Sequence, residues 1–239
     1  MPRLIKVSPH YLMNTNWFKL LWREIIVSSP VAMWLFPLIS GGGLLLLVDT
    51  QSDDLMRFEQ IAVMVEIIIP LGVMFLANGL ILREREENSL VFVAIRSSLP
   101  KLWLRRLGAL LLMSTFWLGV LLAIYHFFYF PLSISQMLVA SISVSLALVG
   151  VSSVIALTLK EMNAGYLIGT FVWATCLISR RFAFEVLGPR LYLFYLWFGT
   201  REGVGTEEWL YNKLILSGVG LFFIGISAFW LLQTDRFST

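Results

Sequence analysis

The residues best suited to bind another protein are five consecutive ionisable side chains, Arg83 to Glu87, followed by Asn88, Ser89 and Leu90. They stand between two long apolar runs. A run of charges this dense must face water, because one ionised side chain in hydrocarbon costs roughly 3 kcal/mol or more. Basic residues follow it closely, at Arg96, Lys101, Arg105 and Arg106. An excess of basic side chains beside membrane spans is typical of the cytoplasmic side.

A second group of candidate residues lies inside the apolar runs and is predicted to line a substrate path. Glu66 is an acid in the middle of a predicted span, so we expect it to face a cavity, a dimer seam or a partner group. Alternatively, it lies near the outer end of its span and reaches water beside Glu59. Tyr166 and Trp173 either line a path for an amphipathic substrate or face lipid.

Catalytic, metal and cofactor chemistry have little support in the sequence. His10 and His126 are isolated, and no spaced acid pair or Ser/His dyad can be assembled. The chain also lacks the G-x-x-x-x-G-K-[ST] phosphate loop, so ATP chemistry would have to come from a partner. We therefore predict no catalytic residue, metal or cofactor in this chain, and no enzyme activity. The basic residues cluster beside spans, which argues against a nucleic-acid partner.

The composition predicts an integral membrane protein that is all α-helical. Of 239 residues, 58% are hydrophobic and 14% charged, whereas soluble domains carry about a quarter of charged residues. A span needs about 20 apolar residues, so there is room for about six spans and no separate soluble domain. We predict one transmembrane domain over residues 1–239, with spans at 30–48, 61–82, 107–130, 137–159, 164–179 and 214–232.

The distribution of charge predicts the orientation of these spans. Twelve of the eighteen Lys and Arg residues fall before span one, between spans two and three, between spans four and five, or after span six. The segments on the other side, which include Lys213, are net acidic. The positive-inside rule then places both termini in the cytoplasm, with lipid of the cell or inner membrane around the spans.

Two shorter elements are predicted to lie at the membrane surface. An amphipathic stretch before span one has apolar residues at helical spacing opposite Lys19 and predicts an interfacial helix. Its residues are Trp17, Phe18, Leu21, Trp22 and Arg23. Between spans five and six, the aromatic run from Leu191 to Phe198 is too short to span, so we predict a helical insertion in the outer leaflet.

The charged run leads into Leu90 to Ile95, an apolar segment of a length that cannot span. One interpretation is a short cytoplasmic helix that enters a groove on another protein, with Phe92 filling a pocket and the charges fixing orientation. The other is an ordinary basic loop that only sets topology. From the residues alone, these two interpretations have about equal weight.

A family resemblance favours the first interpretation. The sequence Glu84-Arg85-Glu86-Glu87-Asn88-Ser89-Leu90 resembles the E-R-E-x-G-T-L pattern that follows the second span of ABC-2 type permeases, a group related in architecture to haem-exporter B-type subunits. It matches at Glu84, Arg85, Glu86 and Leu90. Asn88 stands where the family favours Gly, Ser89 where it favours Thr, and Val91 replaces a frequent acid.

The resemblance implies that Arg83 to Leu90 and Phe92 form a coupling helix seated on a separate ABC ATPase subunit, which would bind ATP and Mg. It implies a second permease copy or homologue and export of a hydrophobic or amphipathic substrate, such as a peptide, lipid or drug. The alternatives are a haem-exporter-like subunit, or a non-transporting membrane scaffold or sensor that recruits a cytoplasmic partner.

Overall fold

The described part of the chain is helical throughout its regular structure. The computed structural model describes residues 60–86, 98–129, 131–179, 196 and 207–237. Five helices in these ranges are long and apolar enough to cross a membrane, as in a multi-pass membrane protein, and they correspond to predicted spans two to six. The first predicted span, the interfacial helix around Trp17 to Arg23 and all of the outer insertion except Leu196 lie outside the described residues. The six-span layout therefore stays a prediction.

The first described helix contains a π-helical segment, and two helices begin at least seven residues earlier than predicted. The π segment is followed directly by α1, and α2 begins at Leu99 instead of 107 while α5 begins at Glu207 instead of 214. Pro100 is tolerated in the first turn of α2, where a backbone N–H has no helical partner. The elements are the π segment Met64–Ile68, α1 Ile69–Glu86, α2 Leu99–Phe128, α3 Ile134–Leu159, α4 Met162–Ser179 and α5 Glu207–Phe237.

Helix α3 is the centre of the described bundle and contacts the π segment and all four other helices. In its most apolar stretch 67% of residues are buried, compared with 11% in α4, which lies at the edge. Helix α1 packs against α2, α3 and α4, and α5 packs against α2 and α3. The buried surface of α3 is rich in serine and alanine, which allow helices to approach closely without a hydrophobic driving force.

Glycines make three of these helix contacts unusually close. A Cβ atom built on Gly220 of α5 would lie 2.4 Å from the backbone carbon of Leu146 in α3, and one on Gly150 would lie 2.6 Å from the carbonyl oxygen of Gly220. On α4, Gly165 and Gly169 share one face, where an added Cβ would meet Ala156 of α3 at 2.6 Å or the Met74 sulfur of α1 at 2.2 Å. The contact of Gly150 and Gly220 brings two helix backbones close together, as small residues permit in membranes, whereas Gly169 leaves room for the Met74 side chain.

The short connection between α3 and α4 is a tight turn. Lys160 ends α3 in the left-handed conformation, with φ 60°, and its N–H bonds to the carbonyl of Ala156. The N–H of Glu161 bonds to the same carbonyl at 3.1 Å. This pairing satisfies a carbonyl at the helix end and reverses the chain, so that α4 returns along α3.

Candidate functional site

A buried ion pair joins the π segment to α5. The Nζ atom of Lys213 lies 2.9 Å from Oε1 of Glu66, and each residue is only 1% exposed. Among the described residues they are the two charged side chains in the fully buried class. Glu66 thus meets a partner group, one of the environments expected for it, and its carboxylate is shielded from water. Its place in a substrate path stays a prediction.

Lys213 was predicted to be a loop charge outside the membrane, and the structure corrects this. It lies within α5, about 9 Å along the helix from Glu207, and Glu66 lies about 9 Å from Gln60. In the predicted topology α1 and α5 run in the same direction, so the two charges are at matching depth. Pairing removes the need for either charge to face lipid alone, which would be costly.

An aromatic ring lies close to the ammonium group of Lys213. Its Nζ atom lies 5.8 Å from the ring centroid of Trp209, one turn earlier on α5, and Trp209 is itself buried. An aromatic face attracts a cation through its quadrupole, and the attraction is larger where the cation is desolvated. Lys213 is therefore held from two sides, by the carboxylate of Glu66 and by the indole of Trp209.

The backbone that carries Glu66 departs from α-helical hydrogen bonding. Pro70 follows the π segment and has no N–H, so it cannot bond to the carbonyl four residues earlier. The indole nitrogen of Trp173 in α4 donates a hydrogen bond of 2.9 Å to the carbonyl of Ile67. Side chains from α5 and α4 thus contact neighbouring residues of the π segment, which is a type of element often found at functional sites.

Two of the three residues predicted to line a path are brought together, and the third lies apart. Trp173 contacts the π segment next to Glu66, whereas Tyr166 lies about 10 Å away along α4 and its ring packs at 5.1 Å from Phe75. Both aromatics line the seam between α1 and α4. Their assignment to a substrate path stays a prediction.

A small crevice between α1, α2 and α3 is lined by hydroxyl-bearing side chains. Its volume is about 10 Å³, which is near the minimum for one water molecule. Ser114 and Thr115 donate to carbonyls in their own helix, at 2.8 and 2.7 Å. The crevice is therefore too small for an organic substrate in this conformation, and it does not involve Glu66, Tyr166 or Trp173.

The predicted coupling segment is only partly described. Arg83, Glu84, Arg85 and Glu86 form the last residues of α1, whereas Glu87, Asn88, Ser89, Leu90 and Phe92 lie outside the described residues. The helices on either side of residues 87–97 are joined directly, because Arg106 of α2 donates a hydrogen bond of 2.9 Å to the carbonyl of Leu80 in α1. This bond joins the two helices about 9 Å before the end of α1 and about 10 Å after the start of α2.

Two further side chains lie near the ends of α2. Trp103, in its second turn, is buried in the protein core. Nδ1 of His126 accepts a hydrogen bond of 2.9 Å from the N–H of Leu132, which closes the turn between α2 and α3. Within the ranges that the structure describes, no group of three His, Cys, Asp or Glu residues could hold a metal ion.

Comparisons with protein-family models, with curated proteins and with solved structures give no match for this chain. The site that the geometry defines is thus the Glu66–Lys213 pair, of which sequence reasoning found only one half. The signal that could have identified Lys213 was present: a single basic residue near the start of a span that runs in the same direction as the span of Glu66.

Proposed function

We propose that the chain is the permease subunit of an ABC-2 type exporter and couples to a separate ATPase subunit. The observation that carries this proposal is the charged sequence Arg83 to Leu90 at the end of an apolar helix, together with the bond between Arg106 and Leu80 that joins its flanking helices. Because the two flanking helices are bonded to each other, a displacement of the connection would be transmitted to both.

The path of such a displacement follows the described contacts. A partner that binds residues 83–92 would act on the end of α1, a helix about 27 Å long. The other end of α1 carries the π segment, where Trp173 and Lys213 make their contacts. Helical hydrogen bonding is interrupted at Pro70 and the π segment, which allows bending. Motion of α1 would therefore bend the helix at these residues.

The proposed substrate is hydrophobic or amphipathic, and an amphipathic peptide is the preferred class. This follows from the family resemblance and from a bundle in which the described spans are apolar. Two copies of the chain, or one copy and a homologue, would form the path. The direction of transport, outward, also rests on the resemblance.

The test is to search for a phosphate-loop ATPase in the same operon or in a pull-down, and to reconstitute the chain with it. We expect the detergent-solubilised chain to co-purify with that subunit and to raise its ATP turnover. Glu86→Ala and Phe92→Ala should each reduce the stimulation about tenfold while the chain stays folded. Matched controls are Glu161→Ala and Phe128→Ala, which truncate exposed residues of the same types away from the coupling segment.

Each outcome separates the candidate functions. If the chain binds the ATPase without changing its turnover, it is a recruiting scaffold, and the permease proposal is wrong. If no phosphate-loop ATPase binds the chain at all, the proposal that it couples to an ATPase subunit is also wrong. If haem co-purifies with the complex and its export depends on the chain, the haem-exporter alternative replaces peptide export.

A further inference from the structure

We propose that the Glu66–Lys213 ion pair is a breakable contact that lets the π segment and α5 separate when the bundle changes conformation. The opening can be tested without a partner, whereas its role in a transport cycle rests on the proposed function. The inference draws on three observations: burial of both charges, the π segment that carries Glu66, and the second contact of that segment with Trp173.

The first step concerns stability. A buried ion pair must recover the cost of removing two charges from water, and replacing such a pair with apolar side chains of similar volume is often neutral or stabilising. The surroundings of Glu66 and Lys213 are well suited to such a replacement, since Val65, Ile67 and Leu216 nearby in the chain belong to the hydrophobic core. Stability alone therefore does not account for a Glu and a Lys at these positions.

The second step concerns what happens when the contact opens. Where the opening admits water from the nearby helix ends, the separated charges regain their hydration, whereas two separated leucines expose apolar surface to that water at a cost that grows with area. An ion pair thus makes the open form more accessible than an apolar contact of the same size would.

The third step concerns where the motion would occur. On one side the π segment is fixed to α4 by the indole of Trp173, which bonds to the carbonyl of Ile67 at 2.9 Å. On the other side it meets α5 through Glu66 and Lys213. Since Pro70 interrupts regular bonding at the end of this segment, Glu66 can move with little loss of helical hydrogen bonds. We therefore assign the breakable side to α5 and the fixed side to α4.

The experiment compares amide hydrogen exchange in the wild-type chain and in Glu66→Leu/Lys213→Leu, both in lipid nanodiscs without a partner. We expect peptides that cover 60–70 and 207–216 to exchange at least tenfold more slowly in the double variant, while peptides from 141–155 of α3 are unchanged. Equal or faster exchange in the double variant overturns the proposal. So does a double variant that fails to fold, because the pair would then be required for the closed structure itself.

Single variants and charge exchange provide the internal controls. Glu66→Gln and Lys213→Gln each leave one buried charge, so we expect their apparent Tm to fall by about 10 °C. The charge-swapped variant Glu66→Lys/Lys213→Glu should recover part of the lost apparent Tm. Its amide hydrogens should exchange as fast as those of the wild type. If amide hydrogens in the charge-swapped variant exchange as slowly as in the leucine variant, charge is not what makes the contact breakable, and the proposal is wrong.

A second experiment tests whether the Glu66–Lys213 pair takes part in the proposed function. In complex with the ATPase, the double leucine variant should bind the subunit normally but lose at least tenfold in stimulation of ATP turnover. Full stimulation by this variant would exclude the pair from the transport cycle. A wild-type chain that stimulates no ATPase contradicts the proposed function, but the exchange experiment still decides whether the pair opens.

Discussion

The contact between α3 and α5 gives a sharp prediction for Gly220→Ala. The added Cβ would lie 2.4 Å from the backbone carbon of Leu146, 2.5 Å from its oxygen and 2.7 Å from the nitrogen of Ala147. Attractive contacts between carbon atoms lie at roughly 3.5–4.0 Å, so the two helices must move apart by at least about 1 Å. Since these are backbone atoms, no side-chain rotation can relieve the overlap.

The magnitude follows from what this separation disrupts. Overpacking a close seam costs typically about 1–3 kcal/mol, and the higher helix propensity of alanine returns up to about 1 kcal/mol. We expect a net loss of about 2 kcal/mol, which corresponds to a fall in apparent Tm of roughly 4–8 °C for a chain of this size. The same seam contains Gly150, so a double substitution with Gly150→Ala should not be additive.

The matched control is Gly218→Ala, on the same helix. A Cβ there would meet nothing within 4 Å, so only the gain in helix propensity applies, and the apparent Tm should stay constant or rise slightly. The assay is thermal unfolding followed by size-exclusion chromatography of both variants in one detergent. An equal apparent Tm for Gly220→Ala and Gly218→Ala would refute the close α3–α5 contact.

Two further predictions concern single hydrogen bonds between helices. Trp173→Phe keeps an aromatic ring but removes the donor to the carbonyl of Ile67, so we expect a loss of about 1–3 kcal/mol, measured as a lower apparent Tm. Arg106→Gln removes the charged donor to Leu80, and we expect it to reduce ATPase stimulation several-fold while leaving binding of the ATPase intact. Lys101→Gln, at an exposed position of the same helix, is its control, and equal stimulation by both variants would argue against the anchored connection.

Some features of the described spans were predictable because they depend on local sequence. Apolar runs of sufficient length required helices, and predicted spans two to six correspond to the five described ones. The ends of the helices were less predictable, because the helices extend into polar residues where the hydropathy of the sequence is already low. Helix α2 includes the basic turn before 107, and α5 includes Lys213, because no residue there interrupts helical hydrogen bonding.

The candidate site was predictable only in part. An acid within a span must find a partner, which identified Glu66, but the identity of that partner depends on helix order and rotation, and neither is encoded in a hydropathy profile. Trp173 was selected for its aromatic ring, whereas its described contact is made by the indole N–H. That contact exists because α4 lies against the π segment, which is a property of packing.

By itself, the sequence determined that the chain is a helical membrane protein and that its charged run must face water. Both conclusions follow from the cost of placing charges and unpaired backbone groups in hydrocarbon. Only the tertiary structure decided that Lys213 pairs with Glu66 and that Gly220 meets the backbone of Leu146. Such contacts join residues distant along the chain, and they depend on how the helices pack against one another.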